Sequence, residues 1–443
     1  MLSGWKQCLL GDVLTLQRGF DITKKEQKQG YVPVISSSGI NSFHDTAKVN
    51  GPGVIIGRKG SLGTVFYIEE NYWPHDTTLW VKDFHSNFPK FTYYFLSTLN
   101  LAQFDAGASN PTLNRNHVHL LTVYWPPLPT QRKIATVLSA YDDLIENNTH
   151  RIAILEEMAQ ALYREWFVHF RYLGHEKNGT VESALGMIPN GWEVKSIGDV
   201  VITLGGGTPS TINPEYWDDG NVIWYSPTDL TSSGKMFITD SAKKITKMGL
   251  QQSSARLFPA YSVMMTSRAT IGVVAINTKQ ACTNQGFITC IPKASLSAYQ
   301  MYFWLVENKE KIISIASGAT FKEINRTTFR GLPIVIPNAS ISQQFNEMVS
   351  PVCKQIENLI TKNANLRRTR NLLLPRLISG EVDVEGLDIE TGEAMTEAAA
   401  SIEEDVEKRA EAALAREQRT LWGQLVVNEG IGADEREFRG AAG

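Results

Sequence analysis

Residues 130–166 read TQRKIATVLSAYDDLIENNTHRIAILEEMAQALYREW. The positions Ile134, Leu138, Tyr141, Ile145, Ile152, Leu155, Ala159, Leu162 and Trp166 advance in steps of four and three, with Asn148 as the one polar member of the series. Steps averaging 3.5 residues keep a single stripe of a helix turned toward a partner, so the pattern is a coiled-coil seam. Thr130 follows Pro126-Pro127-Leu128-Pro129 and is placed to cap a helix running to about Phe170. Adding 211 to each position gives Phe345, Val349, Val352, Ile356, Leu359, Asn363, Leu366, Arg370, Leu373 and Leu377, a second seam in the same frame whose polar members are Asn363 and Arg370. Each helix is the natural partner of the other, and about 40 residues at 1.5 Å each span roughly 60 Å. Pro351 is expected to bend the second helix. Asn148 and Asn363, polar in an apolar seam, are expected to set register and pairing rather than to hold a ligand.

The same doubling runs through the rest of the chain. Gly4-Trp5 with Gly11-Asp12-Val13 recurs as Gly191-Trp192 with Gly198-Asp199-Val200, 187 residues on. Arg58-Lys59-Gly60-Ser61-Leu62-Gly63 resembles Ser267-Arg268-Ala269-Thr270-Ile271-Gly272 at an offset of 209. Gly107-Ala108-Ser109 with Leu113-Asn114-Arg115 matches Gly318-Ala319-Thr320 with Ile324-Asn325-Arg326 at 211, as Pro126 matches Pro337. The landmarks keep their order and the offset changes only between them, as loop insertions in a duplicated chain would produce. Before each long helix lies a stretch rich in Gly, Pro, Asn and Ser. In these stretches Val54–Ile56, Thr64–Ile68, Val273–Ile276 and Ile334–Ile336 read as strands, and Phe91–Leu99 and Tyr299–Val306 as short helices. Each stretch is thus a mixed α+β domain. Residues 174–190 read as a loop linker.

Length and composition set the frame. A chain of 443 residues with 42% hydrophobic and 20% charged residues is of ordinary globular type and long enough for about three domains. No apolar run reaches transmembrane length, and Met1-Leu2-Ser3-Gly4-Trp5-Lys6 lacks the apolar stretch of a signal peptide. Four scattered cysteines, Cys8, Cys282, Cys290 and Cys353, make neither a disulfide framework nor a Cys-x-x-Cys zinc site, so a reducing cytoplasm is the expected compartment. The net charge of −3 conceals an asymmetry: residues from Glu381 on carry 17 acids and 6 bases, leaving 37 bases and 29 acids before them. A mildly basic body permits a polyanionic partner and equally fits a solvated surface. The acidic tail has one helix-prone stretch, Glu397–Leu421.

Taken together, these segments resemble the specificity subunit of type I restriction-modification systems over about residues 1–380. The marks are two domains opening with Gly-Trp, each with a Ser/Arg/Gly turn and a Gly-Ala-Ser/Thr loop leading to Asn-Arg. Further marks are Ile145-Glu146-Asn147-Asn148, Glu156–Leu162, and Leu372-Leu373-Leu374-Pro375-Arg376-Leu377-Ile378-Ser379-Gly380-Glu381. The tail departs from the family pattern. The resemblance implies an α+β chain of two mixed α/β target recognition domains separated by two long antiparallel coiled-coil helices, an internal pseudo-two-fold repeat. The expected parts are recognition domain 1 (1–127), spacer helix 1 (128–173), linker (174–190), recognition domain 2 (191–338), spacer helix 2 (339–380) and acidic tail (381–443). It further implies a non-catalytic reader of a split, asymmetric sequence in double-stranded DNA. Two methyltransferase (modification) subunits would dock on it, and through them restriction (translocase/nuclease) subunits, with no membrane involved. S-adenosylmethionine, ATP and Mg would enter only through those partners. A methyltransferase with fused recognition domains, and a coiled-coil scaffold that reads no DNA, are the alternatives.

On that reading, Arg58, Lys59, Ser61, Ser267, Arg268 and Thr270 lie in turns between strands, where small residues admit a phosphate and Arg can pair with guanine. As plain chemistry they also make exposed basic hairpins. Asn114, Arg115, Lys322, Asn325 and Arg326 follow the Gly-Ala loops and suit phosphate contact; the asparagines equally suit capping of the loop. His75, Asp76, Asn284 and Gln285 hold equivalent places, with a structural role favoured over base reading. Tyr163, Trp166, Phe167 and Phe170 fit a docking surface or buried packing alike. Asn213-Pro214-Glu215-Tyr216 has Glu where an adenine-methyltransferase loop has Pro, and only Gly205-Gly206-Gly207 accompanies it, so it reads as a turn. His117-Val118-His119 lacks the further ligands of a metal site. No P-loop, His-Glu-x-x-His or Gly-x-Ser-x-Gly occurs.

Overall fold

The computed structural model describes residues 4–104, 112–318 and 322–389. The Gly107-Ala108-Ser109 loop, Ala319-Thr320 and the Glu397–Leu421 stretch lie outside them. Of the described residues, those up to Ala140 and from Arg370 on form one compact unit, and Tyr141–Thr369 the other.

The first unit is built on a four-stranded antiparallel sheet in the order Thr15–Arg18, Thr78–Asp83, Gly53–Gly57, Val65–Ile68. Beside it stand a three-stranded sheet (Gly39–His44, Val32–Ser36, Trp73–Pro74) and the pair Lys6–Leu9 with Thr122–Trp125. The helix Pro89–Thr98 lays Phe91, Tyr94, Phe95 and Leu96 on Val54, Ile56, Leu79 and Val81. Ile134 and Leu138 of the first long helix join the same core, as do Leu377, Ile378 and Val384 from the end of the second.

The second unit repeats this plan strand for strand. Its main sheet runs Val201–Leu204, Phe287–Pro292, Val263–Thr266, Val274–Asn277, with Phe237–Ile238 added at the edge. Its closing pair, Glu193–Ser196 with Pro333–Ile336, keeps the register of the first: Lys6 faces Trp125 and Glu193 faces Ile336. The insertion that lengthens the offset is mostly the helix Pro227–Ser233, the edge strand Phe237–Ile238 and the helix Lys247–Gln251, all preceding Val263–Thr266.

Several recurring motifs prove to be structural. In Gly-Asp-Val the aspartate caps a one-turn helix: Asp12 Oδ2 accepts from Leu9 N at 3.0 Å and Asp199 Oδ2 from Ser196 N at 3.1 Å. Its glycine admits a neighbour, since a Cβ at Gly11 would stand 3.1 Å from Cβ of His119, and one at Gly198 2.9 Å from Nε of Arg330. In Gly-Trp, Gly4 (φ 80°) and Gly191 (φ 79°) take the left-handed conformation that favours glycine.

Both long helices are found, as Leu128–Phe167 and Ala339–Ile378. The first starts at Leu128 rather than after a Thr130 cap, because Pro129 is tolerated in an opening turn; it ends at Phe167, short of Phe170. The second continues through Pro351, which is exposed. Seam positions on both helices are buried or half-buried. Within the second unit the helices pack antiparallel: Asn148 meets Asn363, while Tyr163, Trp166 and Phe167 meet Phe345. Those aromatics, with Phe170, Tyr172 and Trp192, belong to the core; buried packing, not a docking surface, is their role. Residues 174–190 are not plain loop, for Thr180–Ser183 pairs with Gly186–Pro189 as a hairpin. The short alternation Thr-Val-Glu-Ser/Gly-Met-Ile-Pro offers a period too brief to stand out between Gly and Asn.

A buried glutamine roots the first long helix in the first unit. Gln131 Nε2 donates to Asn87 Oδ1 (2.7 Å) and Pro126 O (3.0 Å), Phe88 N donates to Gln131 Oε1 (2.9 Å), and Trp125 Nε1 donates to the same Asn87 Oδ1.

Candidate nucleic-acid interface

In each unit three segments distant in sequence converge on one turn. In the first, Arg58–Gly63 joins strands Gly53–Gly57 and Val65–Ile68. Arg58 N donates to Thr77 O (2.8 Å), Leu113 N to Arg58 O (2.9 Å), and Lys59 bridges to Thr112. The second unit reproduces the arrangement: Ser267 N donates to Gly286 O (2.8 Å), Ile324 N to Ser267 O (3.0 Å), Ala269 N to Lys322 O (3.1 Å), and Arg268 bridges to Glu323. The fold therefore brings together Arg58, Lys59 and Ser61 with Asn114 and Arg115, and Arg268 and Thr270 with Lys322, Asn325 and Arg326. Gly60 (φ 74°) and its counterpart Ala269 (φ 60°) both take left-handed backbone. For alanine that conformation costs about 1–2 kcal/mol.

Side chains refine the sequence expectations. Asn114 Oδ1 accepts from Asn116 N (3.0 Å) and Asn325 Oδ1 from Thr328 N (2.8 Å), so both asparagines cap the short helices Arg115–His119 and Arg326–Arg330. They hold the arginine that follows each of them, and Arg115 and Arg326 are exposed. Ser267 is 2% exposed, because its backbone sits between Gly286 and Ile324; its part in the turn falls to that backbone. His119 Nε2 accepts from Leu16 N at 2.9 Å. Burial, then the charges of Arg115 and His85, hold its pKa below the usual histidine value. His117-Val118-His119 thus belongs to the short helix Arg115–His119, with His119 in a structural role, and Asn213 caps Glu215 N in the manner of Asn114.

Charge is arranged differently in the two copies. In the first, Asp76 is the hub: Arg18 Nη2 donates to Asp76 Oδ2 at 2.9 Å, Lys59 Nζ lies 3.9 Å from the same oxygen, and Arg58 Nη1 donates to Asp76 O at 3.3 Å. His75 Nδ1 stands 3.1 Å from Asp76 Oδ1. The pKa of Arg58 is lowered by burial first and by the neighbouring Arg18 second. Arg18, Arg58 and Lys59 outnumber the carboxylates of Asp76 and Asp21 and leave a positive surplus. Asp21, His75 and Asp76 do place potential metal ligands within 4.8 Å of one another, but that surplus opposes a further cation. Nothing local in the sequence marks Arg18, since its partner lies 58 residues away.

In the second copy Asn284 and Gln285 stand where the first has His75 and Asp76. Gln285 Oε1 accepts from Thr208 Oγ1 at 2.6 Å, and Arg268 Nε lies 3.8 Å from Glu323 Oε2. Arg268, Ala269, Asn284, Gln285, Gly286 and Pro227 line a shallow cleft of about 300 Å³. Backbone turns flanked by solvent-facing Arg, Lys, Asn and Gln suit phosphate oxygens and base edges.

A family model described as the type I restriction modification DNA specificity domain matches residues 2–157 and 189–368. The chain belongs to that family. It is similar to the type I restriction enzyme MjaIX specificity subunit of Methanocaldococcus jannaschii, 35% identical over 190 residues, covering 42% of this chain and 44% of that protein. It is also similar to the type I restriction enzyme HindI specificity subunit of Haemophilus influenzae, 26% identical over 330 residues, covering 61% and 71%. The first match thus spans less than half of that relative's length. The crystal structure of a type I restriction-modification system S subunit from M. genitalium shares the fold, with a TM-score of 0.56 at 14% identity over 84% of this chain and 96% of that one. No helix among the described residues is long and apolar enough to cross a membrane.

Proposed function

We propose that this chain is the DNA-reading subunit of a type I restriction-modification complex and itself performs no catalysis. Recognition domains 1–127 and 191–338 each contact one half of a split, asymmetric DNA target. The spacer segments 128–173 and 339–380, built on the helices Leu128–Phe167 and Ala339–Ile378, fix the unread spacing between the halves and dock two methyltransferase subunits, which carry the restriction subunits. The work is cytoplasmic. S-adenosylmethionine, ATP and Mg act on the partner chains. Arg58, Lys59, Ser61, Arg115, Arg268, Thr270, Lys322 and Arg326 supply the DNA contacts, with Asn114, Asn325 and Ser267 shaping the turns that present them.

The observation that carries this reading is the matched convergence of three segments on one cation-bearing turn in two copies of one fold, with different side chains in each. A common scaffold with unlike reading groups suits a target whose halves differ. Mapping methylated adenines in cells that carry the complete system tests it: a two-part motif with an unspecified gap is expected, and a continuous motif, or no sequence preference, would overturn it.

A further inference from the structure

The two copies differ at one place in a correlated way. Strand pairing aligns Arg18, which follows Leu16 opposite Val81, with Gly205, which follows Thr203 opposite Cys290; the same alignment sets Asp76 against Gln285. Both members of the Arg18–Asp76 pair are therefore replaced together. The second unit builds the same sheet with neither of them, so the pair is not a requirement of the fold. Gly205 instead has the guanidinium carbon of Arg326 about 3.5 Å from where its Cβ would be.

The geometry around Arg18 is that of a braced reader. Its side chain is 54% exposed, while Asp76 is 16% exposed, with Lys59 Nζ 3.9 Å from its carboxylate and Arg58 donating to its backbone oxygen. Arg58 is half-buried and committed to Asp76 O, which leaves it poorly placed to reach a base. Asp76 engages one nitrogen of the Arg18 fork at 2.9 Å. The other terminal nitrogen has no hydrogen-bond partner among the described residues, which leaves this half-exposed guanidinium two parallel N–H donors beyond the one given to Asp76. Two parallel donors match the O6 and N7 acceptors of guanine, and a carboxylate behind them removes most of the rotamer freedom that an unbraced arginine would lose on binding.

We infer that Arg18, positioned by Asp76, reads a guanine in the half-target contacted by the first unit, and that the second half-target lacks this particular contact. The inference rests on the DNA-reading function proposed above. Arg18 is the specificity residue and Asp76 its positioning residue. A lysine at position 18 keeps the charge but has no fork, which separates base reading from phosphate attraction.

The test uses the assembled modification complex with wild-type chain, Arg18→Ala, Arg18→Lys and Asp76→Asn. Methylated adenines are mapped in cells, and binding is measured in vitro to duplexes carrying each base at every position of the motif. The expected result is a guanine in one half of the wild-type motif. At that position alone Arg18→Ala and Arg18→Lys lower discrimination by on the order of ten- to a hundredfold. Asp76→Asn relaxes the same position, and the other half is unchanged throughout. A uniform loss at all positions that Lys rescues makes Arg18 a phosphate contact and overturns the inference, as does an unaltered motif. If a variant abolishes methylation in cells, the in vitro base series decides between these outcomes. A wild-type complex with no two-part motif would instead overturn the functional reading itself.

Discussion

Replacing Asn363 by leucine tests how the two long helices are held. In the second unit Asn148 Nδ2 donates to Asn363 Oδ1 at 2.9 Å, and Asn363 Nδ2 lies 3.1 Å from Ile145 O and 3.2 Å from Thr149 Oγ1; the asparagines are 2% and 1% exposed. Asn363→Leu strands the Asn148 donor without water to replace its partner, a cost of about 1–3 kcal/mol. Ile145 O is spared, because Thr149 Oγ1 also donates to it at 2.6 Å. The double variant Asn148→Leu/Asn363→Leu leaves no buried donor and extends the apolar seam, so it should match or exceed wild-type stability while weakening the preference for one register. The single variant is expected to lie about 2 kcal/mol below the double, read by native-state hydrogen exchange of amides 145–152 and 356–366. Those amides should exchange on the order of 30-fold faster in the single variant and return to wild-type protection in the double. Equal protection in the single and double variants would refute the reasoning, for removing the stranded Asn148 donor would then restore nothing.

Further outcomes are expected at other buried or charged positions. Gln131→Leu strands Phe88 N–H and Pro126 O and should cost about 2–4 kcal/mol, lowering the melting temperature of the first unit by about 5–10 °C in a thermal scan. His119 accepts from Leu16 N in its neutral form, and its folded pKa lies below the unfolded value of about 6.5. Its contribution is therefore complete above that value and declines as the pH falls toward the folded pKa. His119→Gln, which keeps an acceptor, should flatten the fall in melting temperature between pH 7.5 and 5.5; an unchanged slope would argue against it. Affinity for target DNA should drop steeply with salt, and removing Arg115 or Arg326 should reduce the logarithmic slope by about 0.9 for each phosphate left unneutralised.

Much of the architecture was legible because it rests on periodicity. The seam from Ile134 to Trp166 declares a helix with a partner, and the recurrence at 187, 209 and 211 declares a duplication that the strand registers reproduce. What stayed hidden depends on which atoms meet in space. Asn114 and Asn325 suit adenine and helix caps equally by residue type, and only their bonds to Asn116 N and Thr328 N show the cap. Ser267 resembles a surface turn residue until the backbone on either side buries it. Arg18 lies in a strand with nothing local to mark it, and becomes conspicuous only when Asp76 is folded against it. The aromatic run ending the first helix suits surface or core alike by residue type; Trp192 and Phe345, remote in sequence, make it core.

Whether helix length sets the gap in the recognised sequence is tested most directly by the methylated motif after one heptad is inserted into each helix at matched seam positions, beside Ile152 and beside Leu359. Seven residues add about 10 Å of helix, close to three base-pair steps of about 3.4 Å. The same two half-motifs, separated by about three more unread base pairs, are the expected result. A gap of unchanged length with both halves still methylated would contradict the helical ruler.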